Sequence, residues 1–570
     1  MARLRRTRLT VVLFALLAVL LVSPFASAAP QADSAVLFIG DGMGQAQVEL
    51  AHLVAALSEP LAIKQMPYSG TAITLEAKGE ITDSAAAGTA LATGRKTNDG
   101  MIGVSPDGKP MESILERCKK LGKSVGVITT DNLSGATPAS FLAHVDDRGK
   151  GAEIAVQESQ TGVPVLLGFW KGWFAPKAAG GGRTDDRDVT AEMQKAGYDL
   201  LYTRPQLLQS TQPKILGMFD DDDGKPAPSQ ADLVTAALER LSRNPKGFLL
   251  IVESARVDWI PGMPMGVLGE IHNMDEAVRT AVSFAHKRGK MVVVVTADHE
   301  TGGLVIQDRA KVMMLRNVKA TEEQMARQVK DDRSNLREVL AEYAGIADLS
   351  DAEIEQIKSG KYVADAIGKV LSQRAGLSWN EGDHTATPVG VFAFGPGAET
   401  IKGDMDNTDI PKRIAAAMEL GAFPESGGRD GIHRRGAESP PHGRRASTED
   451  GGTAGTYCPA RLCRAEARWG DDWPFVPPDP LTGFRLPGES AGWQRGKCSN
   501  GRGEIARGKG TAAGETAPIA RHDCAGQKPA GGRLAVRSPA PLAGFWLPGE
   551  SAGWQRGKCS NGRGEIATRA

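Results

Sequence analysis

Before residue 450 this chain of 570 residues contains a single cysteine, Cys118, out of six. A disulfide framework is therefore excluded for that part, which has to be held together by an apolar core or by metal. Charge of one sign is also missing. Lys+Arg and Asp+Glu both number 68, so no overall field favours nucleic acid or a membrane surface, and function has to reside in local sites. The apolar run from Val11 to Val22 is too short to span a bilayer. Arg3, Arg5, Arg6 and Arg8 precede it and Ala26-Ser27-Ala28 follows, so residues 1–28 read as a signal peptide. The expected mature chain starts near Ala29, is periplasmic or secreted, and has no membrane association after cleavage.

What is present from about residue 34 to 420 is an alternation of short apolar runs with helical patterns. The runs Ala35–Ile39, Ser124–Ile128, Phe248–Val252, Met291–Val295 and Gly390–Phe394 are short and uninterrupted. Such β-branched runs suit strands of a largely parallel sheet covered on both faces, which predicts an α/β fold flanked by helices. Open α/β sheets bind ligands beyond the carboxyl ends of their strands. Polar residues collect there: Asp41 after the first run, Glu253 and Asp258 after the third, Asp298-His299-Glu300 after the fourth, with Asp383-His384-Thr385 just before the fifth. Carboxylates and imidazoles together suit zinc, whereas carboxylates and hydroxyls alone suit magnesium.

A serine stands out against this background. In Thr82-Asp83-Ser84-Ala85-Ala86-Ala87-Gly88 the small residues permit a helix, and Thr82 and Asp83 are good helix-start residues. Ser84 is thus expected at a helix N-terminus, where free N–H groups and the dipole favour an alkoxide or a bound phosphate.

Taken in order, the blocks Phe38-Ile39-Gly40-Asp41-Gly42-Met43-Gly44, Thr82-Asp83-Ser84-Ala85-Ala86, Ala136-Thr137-Pro138-Ala139, Val252-Glu253, Asp275-Glu276-Ala277-Val278, Thr296-Ala297-Asp298-His299 and His384-Thr385 resemble the alkaline phosphatases. The resemblance implies a phosphomonoesterase that hydrolyses small-molecule phosphate monoesters through a phosphoserine, with no nucleic-acid specificity and with a homodimer left open. It implies Ser84 as nucleophile and Arg148 as the grip on phosphate. Asp41, Asp298 and His299 would hold the zinc that activates Ser84. Asp258 and His384 would hold a second zinc, and Asp41, Thr137 and Glu253 a magnesium ion.

Three departures from the family pattern stand beside these matches. Where the pattern places a histidine four residues after Asp258 as third ligand of the second zinc, this chain has Gly262. His272 lies nearby but reads as a surface residue before a helix start. The alternative function is accordingly a degenerate, weakly active or inactive phosphate- or metal-binding homologue. Gly-Met-Pro-Met-Gly, residues 262 to 266, can be encoded as GGC ATG CCN ATG GGN, which in a shifted frame contains His-Ala-(Asn/Asp)-Gly. Compensating frameshifts across residues 260 to 266 would account for the lost histidine. The second departure is Gly135, where the family carries an acidic or histidine side chain beside the magnesium, so the identity of the third metal stays open. The third is Leu166-Leu167-Gly168-Phe169-Trp170, which replaces a run of glycines.

Residues 29–424 are expected to form the phosphatase domain, with an insertion at about 305–380 carrying helices over Glu322–Tyr343 and Asp351–Ile357. After Pro424 the composition turns to Gly, Arg, Pro and Ser, without hydrophobic periodicity. Residues 483–506 recur as 544–567 with Arg485 changed to Trp546. Each repeat is too short and polar to bury a core, so residues 425–570 are expected to be disordered.

Overall fold

The computed structural model describes residues 31–55, 60–220, 227–380 and 382–424. The expected signal segment 1–28 and the tail 425–570 with its repeat lie outside the described residues. The five apolar runs all become strands of one ten-stranded sheet. They are β1 (Ser34–Gly40), β3 (Ser124–Ile128), β7 (Phe248–Ser254), β8 (Met291–Ala297) and β13 (Val389–Phe394). The other strands of this sheet are β2 (Tyr68–Ile73), β4 (Val165–Phe169), β5 (Asp199–Leu201), β6 (Ile215–Phe219) and β14 (Gly403–Asp406). Four short pieces complete the series: β9 (Glu300–Thr301), β10 (Val305–Ile306), β11 (Leu377–Ser378) and β12 (His384–Thr385), the last pairing β9. The unassigned stretch Leu166–Trp170 is explained in large part by β4.

The strand order is β14-β2-β13-β8-β1-β7-β3-β4-β6-β5. The expected largely parallel sheet flanked by helices is what the structure has. β1, β7 and β8 are buried along their whole length, which is why the runs Ala35–Ile39, Phe248–Val252 and Met291–Val295 within them hold no polar residue. Their register sets up the site. Gly40 lies level with Ser254 of β7 and with Ala297 of β8, so Asp41 and Asp298 leave neighbouring strands at the same height, with Glu253, level with Ile39, two residues below.

β13 is antiparallel to both of its neighbours, β8 and β2. Its N-terminus therefore reaches the edge where the parallel strands end. This reversal brings His384, which precedes its strand, to the same edge as residues that follow theirs.

The expected helix over Glu322–Tyr343 is two helices, Glu322–Gln328 and Leu336–Tyr343, and a further helix spans Val363–Arg374. The insertion braces the long helix Pro264–Arg288. The buried Glu322 carboxylate accepts hydrogen bonds from the backbone N–H groups of Met265 and Gly266, at 2.9 and 3.0 Å, which satisfies donors left free in that helix's first turn. His272 lies within this helix rather than before its start, and is exposed beside Glu276. Among the described residues no helix is long and apolar enough to cross a membrane. Cys118 is buried and unpaired, and burial pushes its thiol up to about 12.

Candidate active site

Ser84 opens the helix Ser84–Thr93, and Asp83 caps it by accepting from the Ala86 N–H at 2.9 Å. All ten residues of this helix are buried, so small side chains are needed along its whole length. Ser84 itself is only 2 % exposed, and its Oγ lies 3.2 Å from His299 Nε2.

Around that nitrogen sit the two strand-end carboxylates. Asp41 Oδ1 is 3.4 Å and Asp298 Oδ2 is 3.3 Å from His299 Nε2. Asp298 uses its other oxygen to accept from the Gly42 N–H at 3.2 Å and the His299 N–H at 2.8 Å. Both inward oxygens, Asp41 Oδ1 and Asp298 Oδ2, are buried without a hydrogen-bond partner. Unpaired carboxylate oxygens inside a protein are costly unless a cation or proton meets them. Burial, reinforced by the charges of Asp298, Asp258 and Glu253, raises the Asp41 carboxyl well above its ordinary value. Burial also lowers the pKa of the fully enclosed His299, despite the neighbouring Asp298 charge that favours protonation.

The histidine tautomer follows from its other nitrogen. Thr301 Oγ1 donates to Asp258 Oδ1 at 2.6 Å and lies 3.2 Å from His299 Nδ1. With its one proton committed to the carboxylate, the hydroxyl accepts from Nδ1–H, leaving a lone pair on Nε2 aimed at the two free oxygens. Asp41, Asp298 and His299 thus offer three ligand atoms within 4.8 Å of one another.

A second group, Asp258, His299 and His384, meets the same distance criterion of 4.8 Å. His384 Nδ1 donates to the Thr82 carbonyl at 2.9 Å, so Nε2 faces Asp258 Oδ1 at 3.2 Å. Its ring stacks on that of His299 with centroids 3.5 Å apart. Burial alone would lower the His384 pKa, but the Asp258 carboxylate lifts it to about 9. Asp258 is itself depressed, despite burial, by its bond to His384. The pair calls for positive charge between its members. Gly42, at φ 76°, lets the two groups meet: a Cβ there would stand 2.7 Å from Asp258 Cα.

The charge of Glu253 reaches Asp41, and Glu253 and Thr137 are the other two residues expected to share an ion with it. Thr137 is buried in the short helix Ala136–Ala139, with its Oγ1 unpartnered. Burial and the nearby charge of Asp131 raise Glu253 to about 8, although its carboxylate accepts a hydrogen bond from Thr129. A Cβ at Gly135 would stand 3.1 Å from Asp131 Oδ2. Gly262, at φ 84°, has no atom within 4 Å of where its Cβ would be. Among the described residues no other His, Cys, Asp or Glu joins the Asp258 group beyond the two histidines.

Arg148 lies in a loop, as its surroundings Asp146 to Lys150 suggest, yet it is held in place. Its Nη1 donates to Asp83 Oδ2 at 2.9 Å, and the same oxygen accepts from the Gly100 N–H at 3.1 Å. Its side chain keeps 32 % exposure, enough for a guanidinium face to meet an incoming anion.

Sequence reasoning passes over Thr301, which fixes His299, and the hold of Asp83 on Arg148. It picks out Glu300 without showing what that carboxylate does. Gln47 Nε2 donates to Glu300 Oε1 at 2.7 Å and the Thr385 hydroxyl is bound to Oε2, so Glu300 ties β12 and with it His384 in place. The order within Asp298-His299-Glu300-Thr301, two inward candidate ligands followed by two hydrogen-bonding residues, is the signal the sequence offers for these roles.

A sequence model of the alkaline phosphatase family matches residues 32–420. Alkaline phosphatase 4 of Bacillus subtilis is 34 % identical over 366 residues, covering 60 % of this chain and 77 % of its own. Alkaline phosphatase 3 of the same organism is 32 % identical over 417 residues, 67 % of this chain and 88 % of its own. The crystal structure of Thermus thermophilus alkaline phosphatase superposes with a TM-score of 0.62 at 27 % identity, covering 69 % of this chain and 92 % of that one. These likenesses favour an enzyme over a phosphate-binding homologue without turnover. With the match spanning the whole described sheet and every candidate ligand, this chain belongs to the alkaline phosphatase family, whose members are phosphoric monoester hydrolases.

Proposed function

We propose that the protein is an exported, metal-dependent phosphomonoesterase that works through a phosphoserine at Ser84. The observation that carries this reading is the convergence of two carboxylate oxygens orphaned inside the protein, Asp41 Oδ1 and Asp298 Oδ2, on His299 Nε2, which also meets the hydroxyl of a helix-opening serine. Zinc suits this mixed carboxylate and imidazole set and the Asp258 and His384 pair. Magnesium suits the oxygen donors Asp41, Thr137 and Glu253. When bound, such ions lower the pKa of a hydroxyl and stabilise charge on attacking and leaving oxygens.

The chain's own residues supply the rest. Ser84 Oγ gives up its proton and attacks phosphorus while the bond to the ester oxygen breaks on the opposite side, and the departing alkoxide takes up a proton. Water then attacks the phosphoserine, the bond from phosphorus to Oγ breaks, Ser84 regains its proton, and inorganic phosphate leaves. Arg148, oriented by Asp83, offers a planar pair of donors to two phosphate oxygens. Free N–H groups at the start of the Ser84 helix add to the stabilisation of the anion. Small-molecule phosphate monoesters are the substrates, and Gly262 is the weak point of the second metal set.

Hydrolysis of 4-nitrophenyl phosphate at alkaline pH, with and without chelator, tests this reading together with Ser84→Ala. Chelation is expected to abolish turnover, zinc with magnesium to restore it, and Ser84→Ala to lose at least about a thousandfold, as expected for loss of a covalent nucleophile. A phosphate label recovered on Ser84 after acid quench fits the mechanism. Undiminished turnover by Ser84→Ala would sink it.

A further inference from the structure

Trp259 follows the candidate ligand Asp258 directly and is 38 % exposed. Among the described residues it is the one tryptophan exposed to that degree. An exposed indole that follows a candidate ligand in the chain offers a face on which a planar group can stack. The indole is also not loose. It stacks against Trp170 with centroids 6.1 Å apart and planes at 28°.

Trp170 has been placed there at a cost. It sits at φ 54°, in the left-handed region that a bulky residue avoids. Its N–H donates to the Phe219 carbonyl at 2.8 Å, and the Arg256 guanidinium covers its ring at 5.8 Å and that of Phe169 at 5.3 Å. Strain of this kind persists where the surroundings over-determine it, and it collects at functional sites. The strained residue closes the stretch Leu166–Trp170 just beyond β4, on the edge of the sheet that carries the site. Arg256, Asp258 and Trp259 share one 3-10 turn, Arg256–Trp259, so the brace behind Trp170, the candidate ligand and the exposed indole are parts of one rigid element.

Position decides which part of a substrate would meet this face. Ser84 Oγ lies beside the Asp41, Asp298 and His299 group. In-line displacement therefore sends the ester oxygen towards the Asp258 and His384 side, and Trp259 follows Asp258 directly in the same 3-10 turn. Resting on the reading of the site given above, we propose that Trp259, backed by Trp170, is a subsite for the leaving group and selects monoesters whose alcohol carries a planar aromatic ring. Such a ring stacks on an indole face with little regard to its substituents. Two sources share that chemistry, phenols and nucleosides. They differ in whether the ring is joined to the ester oxygen or stands a sugar away.

The test compares kcat/KM for phenyl phosphate, AMP and glycerol 2-phosphate in the zinc- and magnesium-loaded wild type, Trp259→Ala, Trp259→Phe and Trp170→Ala. The ratio of an aromatic substrate to glycerol 2-phosphate is expected to fall about tenfold in Trp259→Ala, from the ordinary strength of stacking, to be largely kept in Trp259→Phe, and to fall by less in Trp170→Ala. A fall confined to phenyl phosphate assigns the face to phenols, and one confined to AMP assigns it to nucleosides. Ratios unmoved by Trp259→Ala overturn the proposal, including the case in which all substrates decline together because Asp258 has shifted. Calorimetric binding of phenylphosphonate against methylphosphonate keeps the two readings apart: a preference for phenylphosphonate that disappears in Trp259→Ala supports the subsite even in a protein without turnover, whereas equal binding overturns it in an active one.

Discussion

Replacing Asp298 by asparagine separates what its two oxygens do. Oδ1 accepts from the N–H groups of Gly42 and His299, and the asparagine carbonyl can keep both bonds. Oδ2, fully buried and without a partner, becomes an amide that presents protons towards the position the two carboxylates and His299 leave for a cation. Without metal the change costs little. Each retained bond weakens from the charged range, about 1.5–3 kcal/mol, towards the neutral one of about 1 kcal/mol, while repulsion from Asp298, the second-largest cause of the raised Asp41 pKa after burial, disappears. The chelated variant should therefore unfold within about 1–2 kcal/mol of wild type, since these terms oppose each other. With metal the two diverge. At a zinc concentration about a thousandfold above Kd, wild type gains about 4 kcal/mol, and a loss of affinity of about a hundredfold cuts that gain to about 1.4 kcal/mol. Thermal unfolding of both proteins, chelated and at fixed free zinc, reads this directly as a zinc-induced rise in Tm that shrinks to about a third. An asparagine variant that kept the full rise would refute the view that Oδ2 is unpaired because it is a ligand.

Other outcomes follow from neighbouring groups. Asp83→Ala removes a helix cap and the carboxylate that holds Arg148; it should cost about 1 kcal/mol of stability and weaken inhibition by inorganic phosphate about tenfold, from one charge-assisted bond, and inhibition unchanged in an active variant would show that Arg148 needs no orienting. In the chelated protein, folded Glu253 keeps its proton up to about 8 whereas the unfolded carboxyl loses it near 4.5, and folded His384 keeps its proton to about 9 against an ordinary 6.5. The folded state thus holds more protons across that window, and its stability should fall as pH rises from about 5 to about 9, measurable as denaturation midpoints; a rise would contradict it. Zinc should reverse the trend, because it binds the deprotonated ligands. Gly262→His has open space around its Cβ but a φ of 84°, so it should lose about 1–2 kcal/mol of stability while increasing zinc retained after dialysis, read by metal analysis; unchanged zinc content would mean that Gly262 is not the missing ligand position.

The parts of the site that could be read from the sequence are those whose position depends on neighbours in the chain. β1, β7 and β8 are buried on both faces, so their apolar runs are unbroken, and the acidic residues that follow the runs have to emerge at the edge. Because the three strands lie in register, counting along the chain is enough to bring Asp41, Glu253 and Asp298 together. The helix that starts at Ser84 is legible for the same local reason, a capping Asp83 ahead of small residues. β13 is legible as a strand, but its reversed direction is not, since burial pattern carries no polarity; grouping His384 with the strand-end residues relies on that reversal, which the pattern itself does not show. What stays hidden depends on pairs far apart in the sequence. Asp83 holds Arg148, Thr301 sets the tautomer of His299 through Asp258, and Glu322 serves the first turn of a helix that begins at Pro264. None of these leaves a periodicity, because each needs only one hydrogen-bonding atom at one point in space. Trp170 shows the same limit from the other side: an apolar residue closing an apolar run reads as core, and only its left-handed backbone and its contact with Trp259 reveal that it leaves the extended path of the strand to stack on another tryptophan. The candidate ligands, then, are written in local pattern, while their orientation is written in long-range contacts. Substitutions of the second kind are accordingly expected to change affinity and selectivity while leaving the fold intact.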